Sequence, residues 1–175
     1  MKWISHIAIA AATTAVFSPL LVPVAVAGST APDWLEWLPK ITGKRQIKHR
    51  TSTHYLAAWL LAVLFFWLVL DWRGVGLAFA WGGLTHIFCD ALTASGVPFG
   101  WWSDRRFYLF GGRLKTGQTG EYWVSASVVI VCVCLIFLTK SYDNNFKPFF
   151  YDYASMYNDG TIDAKEWRDN RLRFF

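Results

Sequence analysis

Long apolar runs alternate with short polar segments along this chain. Residues 55–70 and 122–139 contain no charged side chain, and residues 74–92 are almost as apolar. Runs of this length are typical of transmembrane helices. The run at 122–139 is rich in Val and Ile, but a helix is expected in lipid because the backbone must satisfy its own hydrogen bonds there. The pattern therefore predicts three transmembrane helices. The second is glycine-rich, which predicts close helix packing at Gly74, Gly76, Gly82 and Gly83.

The first apolar stretch, residues 4–27, is interrupted by Pro19 and Pro23. A helix over residues 4–17 would be only about 21 Å long, which is short of the ~30 Å hydrocarbon core. We therefore favour a re-entrant hairpin that enters the membrane and returns. Two alternatives stay open: a signal peptide, given Lys2 and the cleavage-like sequence at 25–27, and one tilted span.

The pattern changes at residue 140, where a tail of balanced charges begins. We predict an all-α fold, a polytopic membrane helical bundle with an N-terminal apolar hairpin and about three transmembrane helices over residues 1–139. Residues 140–175 form a short polar C-terminal tail. A hydrophobic content of 54% and an aromatic content of 18% agree with a membrane domain.

The net charge of +5 is concentrated in two blocks, within residues 40–50 and 105–115. Basic blocks beside membrane segments fix topology or meet anionic lipid headgroups, so no direct nucleic-acid partner is expected. The positive-inside rule places both blocks on the cytoplasmic side of a multi-pass protein and the turn at 71–73 outside.

Histidine and carboxylate side chains collect at the predicted cytoplasmic face. His86 and Asp90 are four residues apart, so on a helix they share one face and can bind a single ion. Ionisable groups near hydrocarbon are costly and usually functional. The predicted topology brings six candidate metal ligands to one membrane face: His6, Asp33, His49, His54, His86 and Asp90.

Imidazole and carboxylate together favour a divalent metal, with zinc preferred and manganese or magnesium left open. Such a site suits hydrolysis, since the metal activates water and polarises an ester. Arg50, Arg105 or Arg106 would then stabilise the developing negative charge, and Glu121 is a further candidate catalytic residue on the same face. Serine-nucleophile and nucleotide-binding motifs are absent from the sequence. The alternatives are a non-catalytic membrane protein with a structural metal site and a recruitment role for the basic loop at 40–50.

Three segments carry a family resemblance. HRTSTH at residues 49–54 is similar to the H-R-G-x-T-H motif of the YdjM family, with Thr51 in place of Gly. HIFCDALTASGVPF at 86–99 resembles that family's S-H-x-x-x-D-x-x-T-x-x-G-V-P stretch. APDWLE at 31–36 occupies the place of its P-D-x-D-H segment, where Leu35 and Glu36 replace the second Asp and the His.

The resemblance implies a bacterial inner-membrane, metal-dependent hydrolase. Its His and Asp arrangement is also similar to that of zinc-dependent phospholipases C, which implies a phosphoester or lipid-like substrate. The family description further implies an association with the repressor LexA. These are expectations from resemblance and do not follow from the spacing of the residues.

Overall fold

The computed structural model describes residues 1–41, 43, 48–70, 74–139, 157–158, 160 and 163–165. The predicted turn at 71–73, part of the basic block at 40–50 and almost all of the predicted tail at 140–175 lie outside these residues. The helices are α1 (Trp3–Phe17), α2 (Val22–Trp34), α3 (Leu38–Ile41), α4 (Leu56–Leu68), α5 (Val75–Ala91) and α6 (Thr119–Thr139).

The predicted break in the N-terminal apolar stretch is confirmed. Helix α1 ends at Phe17, and Ser18 has an extended backbone with φ −153°. Pro19 then opens a single 3₁₀ turn, and α2 follows with a proline in its first turn, where no helical N–H is required. Helices α1 and α2 pack against each other as a hairpin. Its re-entry into the membrane stays a prediction.

The helix lengths bear on the membrane topology. Among the described residues, only α6 is long and apolar enough to cross a membrane, over Thr119–Leu138. Helix α4, with 13 residues, is about 20 Å long, and α5, with 17, is about 26 Å. Most side chains of α6 are exposed, including Trp123 and Phe137, which suits a lipid-facing helix. The mainly helical fold agrees with the prediction, and the multi-pass topology stays a prediction.

A small antiparallel sheet makes the all-α prediction incomplete. Strands β1 (Val97–Gly100) and β2 (Ser103–Phe107) pair with Val97 opposite Phe107 and Gly100 opposite Ser103. Four- and five-residue strands are too short to give a visible hydrophobic alternation, so the sequence pattern did not reveal them. Val97 is fully buried, and β1 packs against α4 and α5.

Helix α5 is the central element, in contact with α1, α2 and α4. Its glycines allow the close packing that the sequence predicted. A Cβ built on Gly82 would lie 2.0 Å from the Ala25 carbonyl oxygen on α2, and one on Gly83 would lie 2.0 Å from the Trp59 ring on α4. A Cβ built on Gly28 of α2 would likewise lie 2.1 Å from the Phe79 carbonyl oxygen on α5. The backbones of α2 and α5 therefore meet almost directly, which places their polar ends side by side.

Candidate metal centre

Four side chains from three parts of the fold converge at one end of the bundle. Asp33 lies near the end of α2, His54 ends a 3₁₀ turn immediately before α4, and His86 and Asp90 face inward from α5. Asp33 Oδ1 lies 3.4 Å from His54 Nε2 and 3.7 Å from His86 Nε2. Asp90 Oδ2 lies 3.8 Å from His54 Nε2 and 3.7 Å from His86 Nε2. We call these four atoms the ligand tetrad.

The tetrad fits a small divalent cation. Ligands about 2.1 Å from a tetrahedral zinc ion are about 3.4 Å from one another. The four imidazole–carboxylate distances within the tetrad, 3.4, 3.7, 3.7 and 3.8 Å, are close to that value. Asp33 Oδ1, His54 Nε2 and His86 Nε2 are buried and have no hydrogen-bond partner among the described residues. Buried polar atoms are normally satisfied, so three adjacent buried atoms without a partner suit the binding of a cation.

Hydrogen bonds on the far side of each imidazole set its tautomer. His86 Nδ1 lies 2.6 Å from the Ser29 carbonyl oxygen, which can only accept, so Nδ1 carries the proton. His54 Nδ1 lies 3.2 Å from Glu36 Oε1 and 3.0 Å from Thr53 Oγ1. A neutral ring that donates its proton from Nδ1 presents the Nε2 lone pair to a metal. Carbonyl and carboxylate oxygens beside Nδ1 are typical of histidines that bind metals.

The two carboxylates are also held in place. Asp90 Oδ1 accepts a hydrogen bond of 2.9 Å from Arg50 Nη2 and lies 2.5 Å from the amino group of Met1. This leaves Asp90 Oδ2 facing the imidazoles. Asp33 Oδ2 accepts a 2.5 Å hydrogen bond from the Trp3 indole, which leaves Oδ1 in the tetrad. Each carboxylate thus divides its oxygens between a protein donor and the tetrad.

The two remaining predicted ligands border the tetrad. The His6 ring stacks on the His86 ring with centroids 3.8 Å apart, and its Nε2 lies 3.5 Å from Asp90 Oδ1. His49 Nδ1 lies 3.8 Å from Asp33 Oδ1, and its side chain is 59% exposed. All six predicted ligands therefore meet in one cluster. Two groups within it have ligand atoms close enough for one ion, the first with Asp33, Glu36, His49 and His54 and the second with His6, His86 and Asp90.

The two predicted catalytic residues have different surroundings. Arg50 lies at the site, where its Nη1 donates to Thr93 Oγ1 over 3.0 Å and its buried Nε has no partner among the described residues. Glu121 lies outside both metal-capable groups. Its carboxylate accepts hydrogen bonds from the Ser5 hydroxyl, the Lys2 N–H and the Gly117 N–H, at 2.7, 2.6 and 2.7 Å. These contacts join the start of α1 to the start of α6, and a catalytic role for Glu121 stays a prediction.

Sequence reasoning gave too little weight to Glu36 and did not identify Trp3. Glu36 stands three residues after Asp33 on one turn, a spacing that places both on one face and was visible in the sequence. Trp3 is 30 residues from the carboxylate that it binds. No local pattern links them.

Electrostatics at the site favours the forms that bind metal. Burial raises the pKa of Asp33, but the nearby His54 and His86 imidazoles outweigh it and bring the pKa to about 2. Burial lowers the pKa of His54 below its usual value of 6.5. At neutral pH the carboxylate is therefore ionised and the imidazole neutral.

The lowered pKa of His54 predicts a pH-dependent stability of the metal-free protein. As pH falls below 6.5, the unfolded chain binds a proton at this residue before the folded chain does, so the free energy of unfolding decreases. We expect a lower thermal unfolding midpoint at pH 5.5 than at pH 7.5 in chelator-treated protein. His54→Gln should make this dependence shallower, and an equally steep dependence in that variant would contradict the assignment to His54. Asp33 is ionised in both states over this interval and does not contribute.

Removing the indole donor of Trp3 tests the support of Asp33. We expect Trp3→Phe to keep the fold, because the side chain is half exposed, and to weaken metal affinity by about 10- to 100-fold, as is typical when a ligand loses its hydrogen-bond partner. A chelator competition titration measures this. Trp123→Phe, an exposed tryptophan of α6, is the matched control and should leave the affinity unchanged. Equal affinities in the two variants would contradict the role of Trp3.

Comparison with known proteins identifies a family. The sequence profile described as YdjM inner membrane protein matches residues 1–145. No curated protein and no solved structure matches this chain.

Proposed function

The chain belongs to the YdjM family of inner membrane proteins, and from its site we propose that it is a membrane-bound metal-dependent hydrolase. The observation that carries the proposal is the ligand tetrad, in which two imidazole nitrogens and two carboxylate oxygens face one another. Three of those atoms lack any other partner among the described residues. Zinc is the ion that this mixture of nitrogen and oxygen ligands fits best, with manganese and magnesium as alternatives.

The chain's own residues would prepare the site for hydrolysis. A bound divalent ion would supply Lewis acidity, polarising an ester and lowering the pKa of water. Asp33 and Asp90 provide two negative charges that offset the charge of the ion. The lowered pKa of His54 favours its neutral form. His54 and His86 both aim Nε2 inward, and His54, His86 and Asp90 exclude bulk water by their burial. Asp33 is 15% exposed and His49 is 59% exposed, so substrate would enter on their side.

An anionic ester is the substrate class that we propose, with a phosphoester or a lipid-like phosphodiester as the reacting group. Arg50 supports this choice, since two of its guanidinium nitrogens bind Thr93 and Asp90 while the buried Nε remains without a partner among the described residues. A buried donor beside the metal ligands suits an oxygen that gains negative charge during the reaction. The apolar exposed surface of α4 and α6 agrees with a substrate drawn from the membrane.

Hydrolysis of phosphoesters by the purified protein tests the proposal. The full chain in detergent would be stripped with chelator, reloaded with zinc, manganese or magnesium, and assayed with p-nitrophenyl phosphate, bis-p-nitrophenyl phosphate and a phosphatidylglycerol vesicle. We expect release of product from at least one of these phosphoesters, dependent on the added metal. Absence of turnover with every metal and probe would reject the phosphoester hydrolase.

One observation favours a second candidate, a structural metal clip. The tetrad already offers four protein ligands, and a closed four-ligand shell is typical of structural zinc. Cobalt substitution separates the two functions, because Co²⁺ reports its ligands in its visible spectrum. Addition of inorganic phosphate should change that spectrum if a position opens for substrate. An unchanged spectrum at saturating phosphate would favour the structural clip.

A further inference from the structure

Glu36 is a buried carboxylate next to the ligand tetrad but outside it. It is 3% exposed and lies in the turn that follows α2. Its Oε2 lies 3.0 Å from His49 Nδ1, and its Oε1 lies 3.2 Å from His54 Nδ1. Two functions are compatible with this position: a ligand to a second ion, together with His49 and Asp33, or a hydrogen-bond acceptor that orients the two imidazoles.

The donors around Glu36 favour the second function. Oε1 accepts a 3.1 Å hydrogen bond from the backbone N–H of Arg50 and a 3.3 Å hydrogen bond from the Thr53 hydroxyl. With His49 Nδ1 at 3.1 Å, this oxygen faces three hydrogen-bond donors, which occupy the directions that a cation would need. The carboxylate is therefore used as an acceptor.

The Arg50 backbone shows that this arrangement is built into the fold. Arg50 has φ +57°, a left-handed conformation that is uncommon for residues other than glycine. In this conformation its N–H points to Glu36 while its guanidinium reaches Asp90. Strained backbone persists where surrounding contacts require it. Here the contacts of Arg50 connect Glu36 to Asp90, a candidate metal ligand.

The protonation of His54 connects Glu36 to the tetrad. A neutral His54 carries one ring proton. Its Nδ1 is hydrogen-bonded to the Thr53 hydroxyl at 3.0 Å and lies 3.2 Å from Glu36 Oε1, and the nearby carboxylate favours that proton on Nδ1. The unprotonated Nε2 of His54 then directs its lone pair toward the side where Asp33 and Asp90 lie. We propose that Glu36 is a positioning residue that holds His54 and His49 as Nδ1–H donors, and that the site consequently takes one ion per chain and not two. This inference rests on the metal site of the proposed function.

Counting ions in matched variants tests the inference without any activity assay. The full chain in detergent is loaded with zinc and dialysed, zinc is counted by inductively coupled plasma mass spectrometry, and affinity is measured by chelator competition. We expect one ion in the wild type. Glu36→Gln keeps the size of the side chain but presents an amide N–H to one imidazole. It should retain one ion with affinity about 10- to 100-fold weaker.

His49→Ala provides a second, independent variant. Its side chain is 59% exposed, so its removal should preserve the fold even where Glu36→Gln does not. We expect one ion and an affinity within about threefold of the wild type, because His49 is a partner of Glu36 and not a member of the tetrad. Electron paramagnetic resonance of the Co²⁺-loaded wild type should show a single uncoupled ion.

The outcomes separate this inference from the proposed function. Two ions in the wild type, falling to one in either variant, would make Glu36 and His49 ligands of a second ion and overturn the inference while leaving the hydrolase proposal intact. One ion in Glu36→Gln with unchanged affinity would overturn the positioning role alone. No bound ion in the wild type would overturn both proposals.

Discussion

The double variant Asp33→Asn, His86→Gln is expected to lose its bound ion and its hydrolytic activity. Both substitutions keep side-chain size, and together they remove one negative charge and one imidazole from the tetrad. Asn and Gln amides are poor ligands for zinc beside the imidazole and carboxylate that remain. We expect zinc to fall from about one ion per chain to background. Activity should fall by about three orders of magnitude or more, equivalent to ~4 kcal/mol of transition-state stabilisation.

A neighbouring polar residue on the same helix serves as the control for this loss. Thr85 is buried beside His86, and its hydroxyl donates to the Gly82 carbonyl oxygen away from the tetrad. Thr85→Ala should retain both the ion and the activity. Stoichiometric zinc in the double variant, with the elution profile of the wild type, would show that the ion binds elsewhere and would contradict the tetrad.

The second large effect is expected from Gly82→Leu, through packing and not chemistry. Even a Cβ at this position would lie 2.0 Å from the Ala25 carbonyl oxygen and 2.8 Å from the Ser29 nitrogen, so α2 would have to move away from α5. Overpacking against rigid backbone should cost about 3 kcal/mol or more of the free energy of unfolding. For a chain of this size, the thermal unfolding midpoint should fall by about 6–12 °C.

The site should respond to Gly82→Leu as well, since the Ser29 carbonyl oxygen that orients His86 belongs to the displaced helix. Metal affinity is therefore expected to fall together with stability. Gly120→Ala is the matched control: it lies in α6, and its new Cβ would make an ordinary 3.4 Å contact with Leu114. A Gly82→Leu protein with the stability and zinc affinity of Gly120→Ala would show that α2 and α5 are not in backbone contact.

Much of the candidate site was predictable because its residue types are rare in apolar sequence. His86 and Asp90 stand four residues apart in a helical run, and that spacing alone places them on one face. His54 stands at the edge of another apolar run, and Asp33 follows a proline shortly after the N-terminal apolar stretch. Their convergence followed from alternating helix directions, which is a consequence of chain connectivity and requires no knowledge of packing.

The supporting contacts were not predictable for a physical reason. Ser29 contributes a carbonyl oxygen, which every residue possesses, and Trp3 reaches Asp33 across the helical hairpin. The boundary of α6 shows the same limit. Hydropathy predicted its start at residue 122, yet the helix begins at Thr119, because the Glu121 carboxylate is stabilised by hydrogen bonds from α1 and the adjoining loop. Contacts between residues far apart in the sequence determine both the supporting hydrogen bonds and the start of α6.

The junction between α1 and α6 has a consequence for biosynthesis. Glu121 holds the Ser5 hydroxyl and the Lys2 N–H across more than a hundred residues of chain. The ribosome makes the first helix long before this anchor, so α1 is synthesised without its final neighbour. His6, the residue after Ser5 on that same helix, stacks on His86. A nascent chain stalled before residue 119 would therefore carry all six ligand candidates without the α6 contacts that hold the start of α1.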